Sequence, residues 1–266
     1  MNDVELTTAN RFSGLAEGYD RHRPDYPSEL LAHIAAAPPP GVPTLAVDVG
    51  AGTGIATRLI AGHLPETWRM AGIEPNADMR AQAEAREAAD SRIAYLDAEA
   101  EALPFDDSTA GLLTVAQAIH WFDKPRFYPE VARVLAQGGA FAILYNDREL
   151  DAGLPGAFED LMEAEMPGYD RRYRQTRGGE ADQDAELEAL DWTASVVRHR
   201  VRNDRIMSPE GFAGLMLSRS KLKPFAAKYG MDDATRQLVD LAGRFAGADG
   251  NVRLGMTSRV HIAIKG

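Results

Sequence analysis

Three glycines mark the stretch of this chain best suited to chemistry. Val47-Asp48-Val49-Gly50-Ala51-Gly52-Thr53-Gly54 runs an apolar segment into glycines at alternate positions. Glycine tolerates positive φ and lets the backbone approach a ligand closely. Such a turn, from a strand into a helix at the carboxyl edge of a parallel sheet, is where doubly wound folds bind nucleotides. A dinucleotide fingerprint would put its third glycine at position 55, but Ile55 stands there and the third glycine is Gly54. The second reactive group is Glu74, in Ile73-Glu74-Pro75 on the following strand. One carboxylate can accept from both hydroxyls of a ribose through charge-assisted hydrogen bonds. Neighbouring strands lie roughly 5 Å apart, so the loop and the acid together suit an adenosine lying across the strand ends. The third group is His120, the one histidine near these strand ends. An imidazole can take a proton from a hydroxyl or ammonium near neutral pH. Alternatively, His120-Trp121-Phe122 forms an aromatic wall that shapes a pocket.

Short apolar runs and amphipathic stretches alternate around these residues. Strands are expected over 45–49, 70–73, 92–96, 111–115 and 140–145. Helices are expected over 53–64, 77–89 and 125–136, the last closed by Gly138-Gly139 in a left-handed turn. This alternation implies right-handed βαβ units and a parallel sheet. Upstream, Pro27-Ser28-Glu29 opens a helix that the prolines at 38–40 stop. Residues 146–192 break the rhythm: Arg171, Arg172, Arg174 and Arg177 precede a run of acids, and the segment reads as a helical insertion or mobile cover. Strands are expected again at 194–201 and 260–264, with a helix starting at Ser208-Pro209-Glu210. The expected organisation is one domain: an N-terminal helical lid (1–40), a nucleotide-binding core (41–145), an insertion or cap (146–192), and a segment completing the sheet and the substrate-side helices (193–266).

Composition narrows the chemistry. The 266 residues include 45% apolar and 26% charged side chains, a globular balance. Without cysteine there is no disulfide, no thiolate nucleophile and no Cys-ligated metal, and no metal site is expected. Forty acidic against 29 basic residues give a net charge of −11, which disfavours nucleic acid. No apolar run is long enough to span a bilayer. Met1-Asn2-Asp3-Val4-Glu5 lacks the apolar core of a signal peptide. The expectation is a cytoplasmic protein, monomer or homodimer, acting on a small molecule.

The sequence resembles the class I S-adenosylmethionine-dependent methyltransferases. Asp48, Gly50, Ala51, Gly52, Thr53 and Gly54 match that family's first motif, and Glu74-Pro75 its ribose-binding acid. The resemblance implies a doubly wound, mostly parallel seven-stranded α/β sheet, Rossmann-like, with its last strand antiparallel. It also implies S-adenosyl-L-methionine as cofactor and S-adenosyl-L-homocysteine as product. Aligning on Ala102-Leu103-Pro104-Phe105 makes Glu99-Ala100 the pair at the adenine edge, with Asp97 the competing choice. Met79 is similar to a residue that packs on adenine. The stretch from Ala116-Gln117 to Asp123, the lead-in from Tyr19 to Pro27, and Leu217-Ser218-Arg219-Ser220 are similar to the small-molecule branch that includes trans-aconitate methyltransferases. By this likeness Gln117 joins the cofactor residues.

In-line methyl transfer needs alignment and exclusion of water rather than a covalent enzyme intermediate. Tyr19 and Arg23 suit the carboxylate of the methionine tail. Tyr26, His120, Trp121, Phe122, Asn146, Arg148, Met216 and Ser220 are the substrate-side choices. A carboxylate substrate would call on an arginine such as Arg148 or Arg219. Three readings compete: a nicotinamide-dependent oxidoreductase, a non-catalytic nucleotide-binding or regulatory protein, and a methyltransferase acting on RNA or protein.

Overall fold

A computed structural model describes residues 26–87, 92–150, 153–171 and 180–266. Tyr19, Arg23 and, of the arginine cluster, Arg172, Arg174 and Arg177 lie outside them. Seven strands form the main sheet: β1 (Leu45–Val49), β2 (Arg69–Ile73), β3 (Ile93–Leu96), β4 (Ala110–Ala116), β5 (Leu135–Arg148), β6 (Thr193–Arg202) and β9 (Met256–Lys265). Their order is β3-β2-β1-β4-β5-β9-β6. The pairs from β3 through β5 are parallel, and β9 runs antiparallel between β5 and β6. The chain order reverses at β1, so the first crevice opens at the carboxyl ends of β1 and β4.

The central strands read as apolar runs because both of their faces are covered. Successive residues of β4 and β5 alternate between two cores. Leu113, Phe141 and Ile143 face α4 (Lys124–Val134) and Leu187 of α6 (Glu180–Glu188). Leu112, Ala142 and Leu144 face α1 (Ser28–Ala36) and α2 (Ile55–His63). On the far side, α3 (Ala77–Ala85) brings Ala83 against Ala51 and Tyr95.

Several expected boundaries shift: helix α3 ends at Ala85 rather than 89, and β5 and β9 run longer than the apolar cores 140–145 and 260–264. Gly54 takes φ +79° as the cap of α2, so that helix begins at Ile55 rather than at position 53. Helix α4 ends at Val134 instead of continuing to 136 and a glycine turn. Leu135 is already extended and pairs with Ala110, after which the register slips before Leu112 pairs with Ala140. Gly138, at φ +77°, lies in that irregular stretch of strand.

Beyond β5 the chain builds a cap. It comprises α5 (Gly153–Glu165), α7 (Pro209–Leu217), α8 (Lys223–Tyr229), α9 (Met231–Gly243) and a two-stranded ladder of β7 (Arg205–Met207) with β8 (Val252–Leu254). These share a core around Phe158, Phe212, Phe225 and Leu238. Helix α6 does not join it: Leu187 packs on the sheet. The charged stretch after position 146 therefore divides between two layers. Among the described residues no helix is long and apolar enough to cross a membrane.

Candidate active site

The site is assembled at the carboxyl ends of β1 to β4. Asp48, fully buried in β1, accepts hydrogen bonds from the hydroxyls of Thr57 on α2 (2.7 Å) and Thr114 on β4 (2.9 Å). Burial raises its carboxyl pKa to about 6; the two threonines pull it down and Glu74 adds a smaller upward push. Asp48 thus ties together the elements beneath the glycine loop and does not line the cavity above it. The loop itself is pinned to β2: the Gly50 and Ala51 amides donate to the Ile73 carbonyl at 2.8 and 2.9 Å.

Glu74 sits where that pinning ends. One carboxylate oxygen accepts the Gly52 amide at 2.8 Å and the other accepts the Asn76 amide at 2.9 Å. Burial pushes its carboxyl pKa up, against these two amides and Arg80, while nearby Glu99 pushes the same way as burial. An anionic oxygen can accept more than one donor, so each retains capacity for a hydroxyl while the carboxylate is held in a fixed plane.

An open cleft runs along these strand ends. Gly50 and Gly52 floor it, with Ile73, Glu74 and Pro75 beside them. Met79 enters from α3, whose first turn is capped by the Asn76 side chain accepting the Met79 amide at 3.0 Å. Ala98 to Glu101 close one end; Ala116, Gln117, Ala118, Trp121 and Phe122 close the other. Gly50 is sterically required: a Cβ there would lie 2.6 Å from that of Ala118. Gly52 differs. It has φ +58°, yet a Cβ built on it meets no atom of the described residues within 4 Å and would enter the cleft.

Of the expected residues, Gly50, Gly52, Glu74, Pro75, Met79, Glu99, Ala100, Gln117, Trp121 and Phe122 line this cleft, whereas Ala51, Thr53 and Gly54 do not. Asp97, the alternative to Glu99, is exposed and pairs with Arg80 at 3.0 Å. His120 is exposed, tilted against Trp121 with ring centroids 4.6 Å apart, and is not part of the lining. Tyr26 packs with the α1–α2 core. Arg148 is 10% exposed and pairs at 2.7 Å with Glu159, itself 1% exposed; Met216 lies buried beside it. Asn146 accepts from Gln117 and Ser258. Ser220 begins a short turn before α8, and its side chain lies outside what is described. Sequence reasoning missed Ile73, Ala98, Glu101, Ala116 and Ala118. Only their places at or shortly after the carboxyl ends of apolar strands could have flagged them.

Comparison with known proteins bears on the activity. Residues 47–143 match a family described as a methyltransferase domain. An uncharacterized methyltransferase of Mycobacterium tuberculosis is 29% identical over 243 residues, covering 90% of this chain and 89% of its own. The chain is an S-adenosylmethionine-dependent methyltransferase. Its fold is shared with a protein of Anaeromyxobacter dehalogenans provisionally assigned as a type II methyltransferase, at TM-score 0.58 and 21% identity over 91% of this chain and 97% of that one. An N-methyltransferase of Haemonchus contortus, solved with phosphomonomethylethanolamine and S-adenosylhomocysteine, gives TM-score 0.52 and 18% identity over 98% of this methyltransferase and 58% of that chain. S-adenosylmethionine is the cofactor. The open floor at Gly52 and the twice-bonded Glu74 carboxylate fit an adenosine and its ribose.

Proposed function

We propose that this methyltransferase acts on a small-molecule metabolite in the cytoplasm and belongs to the branch that includes trans-aconitate methyltransferases. The observation carrying the cofactor half of this reading is the Glu74 carboxylate, fixed by the Gly52 and Asn76 amides beside an unfilled glycine floor. In this reading Glu74 accepts the ribose hydroxyls, Gly50 and Gly52 let the nucleoside lie against backbone, and Glu99, Ala100 and Met79 bound the adenine. Asp48, Ala51, Thr53 and Gly54 hold the loop in shape. When bound, the cofactor supplies a methyl group on a sulfonium sulfur, open to in-line displacement by an oxygen, nitrogen or carbon nucleophile. The chain's own work is orientation and exclusion of water. Trp121 and Phe122 supply the apolar wall, and His120 stands at its exposed side.

A small acceptor is favoured by the net charge of −11 and by a helical cap attached where β5 leaves the sheet. Calorimetry on the full chain tests the cofactor half. S-adenosylhomocysteine binds, NAD does not, and Glu74→Gln weakens the binding roughly ten- to a hundredfold, the range for a lost charge-assisted pair. Equal affinity in wild type and variant would remove Glu74 from the site. Transfer of label from methyl-labelled cofactor across a panel of acids, amines and phenols tests the acceptor half. Label appearing only in protein or RNA would overturn it.

A further inference from the structure

We infer that Asn146 and Ser258 are positioning residues that hold the Gln117 carboxamide with its oxygen toward the methyl-bearing sulfur of the bound cofactor. This rests on the cofactor reading above. Across the sheet, the Ala98 to Glu101 end of the cleft follows β3, Glu74 follows β2, the glycine loop follows β1, and Gln117 follows β4. An adenosine laid with its base over β3 and its ribose at Glu74 therefore carries its sulfur past β1, toward β4. Gln117 is the first residue beyond β4 and lines the cleft there.

The backbone of Gln117 is unusual. It has φ +60°, one of two non-glycine residues with positive φ among those described. Such conformations persist where surrounding structure over-determines them. Here β4 stops at Ala116, opposite Leu144, while β5 continues to Arg148. Two β5 carbonyls remain on the side β4 has left. The Gln117 backbone amide donates to Leu144 O at 3.0 Å, and its side-chain Nε2 donates to Asn146 O at 3.1 Å. A peptide carbonyl only accepts, so the carboxamide must turn its nitrogen to β5 and its oxygen away from it.

The far side of Asn146 is equally specified. Its Oδ1 accepts the hydroxyl of Ser258, its register partner on β9. Ser258 is fully buried and accepts Asn203 Nδ2 at 3.0 Å. The next residue, Asp204, accepts the Met256 amide at 3.1 Å and Arg253 of the cap ladder. Directed hydrogen bonds thus lead from the cleft across β5 and β9 to Asn203, whose peptide neighbour Asp204 is bonded to the base of the cap. Losing one member would let the end of β5 move and free the carboxamide to turn.

The test compares two probes that differ at the sulfur. S-adenosylhomocysteine has no group in the place of the methyl, whereas sinefungin carries an amine there. Calorimetry on the full chain should find sinefungin preferred in wild type, with Gln117→Ala lowering that preference about tenfold while changing S-adenosylhomocysteine affinity less than threefold. Ser258→Ala should shift the ratio the same way by at least threefold, and should add nothing in a Gln117→Ala background, because residues acting as one unit are non-additive. A purely structural defect would weaken both probes alike. Asn203→Ala, at the half-buried end of the chain, carries the same test if Ser258→Ala does not fold. An unchanged ratio in Ser258→Ala or Asn203→Ala, or effects that add to Gln117→Ala, overturns the inference. Failure of wild type to bind either probe instead overturns the cofactor reading, and this inference with it.

Discussion

At the residue scale, Gly52 separates folding from binding more cleanly than any neighbour. Among the described residues a methyl group there touches no atom, so the folding cost of Gly52→Ala comes from placing a side chain at φ +58°, about 1–2 kcal/mol. The same methyl occupies the floor of the cleft. Gly52→Ala is therefore expected to remain folded, with an unfolding midpoint a few degrees lower, and to lose S-adenosylhomocysteine affinity by more than tenfold. Thermal melts and calorimetry on one preparation check both halves, and retained affinity would put the nucleoside elsewhere. Gly50→Ala makes the contrast, since its Cβ collides with Ala118 and should impair folding itself. Motif spacing singles out both glycines, but only the packing around them says which one guards empty space.

Elements are joined here by buried charge, and two joints make opposite predictions. Asp48 links β1, α2 and β4 through its two threonine hydroxyls. Its carboxyl holds a proton up to about pH 6 when folded, against an ordinary value of 3.8. Between those values the native state binds the proton more tightly, so this group's contribution to stability falls as pH rises. Asp48→Asn should lack that slope: relative to it, wild type loses roughly 3 kcal/mol between about pH 4 and pH 7. Urea unfolding of both proteins across this range measures it, and parallel curves would refute it. The Arg148–Glu159 pair instead fastens α5 to the end of β5, with the Tyr169 hydroxyl also donating to Glu159 at 2.8 Å. Arg148→Met strands a buried carboxylate and should cost about 3–5 kcal/mol, whereas Arg148→Met with Glu159→Leu should recover most of it. A double variant as unstable as the single would show that Arg148 matters through something other than this pair. From sequence alone Arg148 reads as a clamp for an acidic substrate; only the fold reveals the carboxylate already opposite it.

Across the whole molecule, ligand binding and stability are linked. A ligand that binds only the folded chain adds about 2.7 kcal/mol at a hundred times its dissociation constant. For a protein of this size that corresponds to roughly 5–10 °C in melting temperature. S-adenosylhomocysteine should produce such a rise and NAD none. A rise with NAD alone would revive the oxidoreductase alternative that Ile55 argues against.

The sequence by itself determined the parallel strands through β5, the later strands near 194–201 and 260–264, the helix that starts after Ser208, the glycine loop and the acid just past the second strand. Parallel strands buried on both faces leave unbroken apolar runs, and a sharp turn over a ligand leaves glycines; both signals are local and survive without a third dimension. Tertiary structure alone decided the rest. The apolar faces of α5, α7, α8 and α9 carry no mark of which layer they join, so the division of the segment after 146 between cap and sheet was invisible. Nor could spacing show that Asn146 meets Ser258, that Arg148 meets Glu159, or that His120 stands outside the cleft while Gln117 lines it. Those choices depend on which distant strand ends in the right register. A polar side chain looks the same in sequence whether it faces a ligand or another side chain.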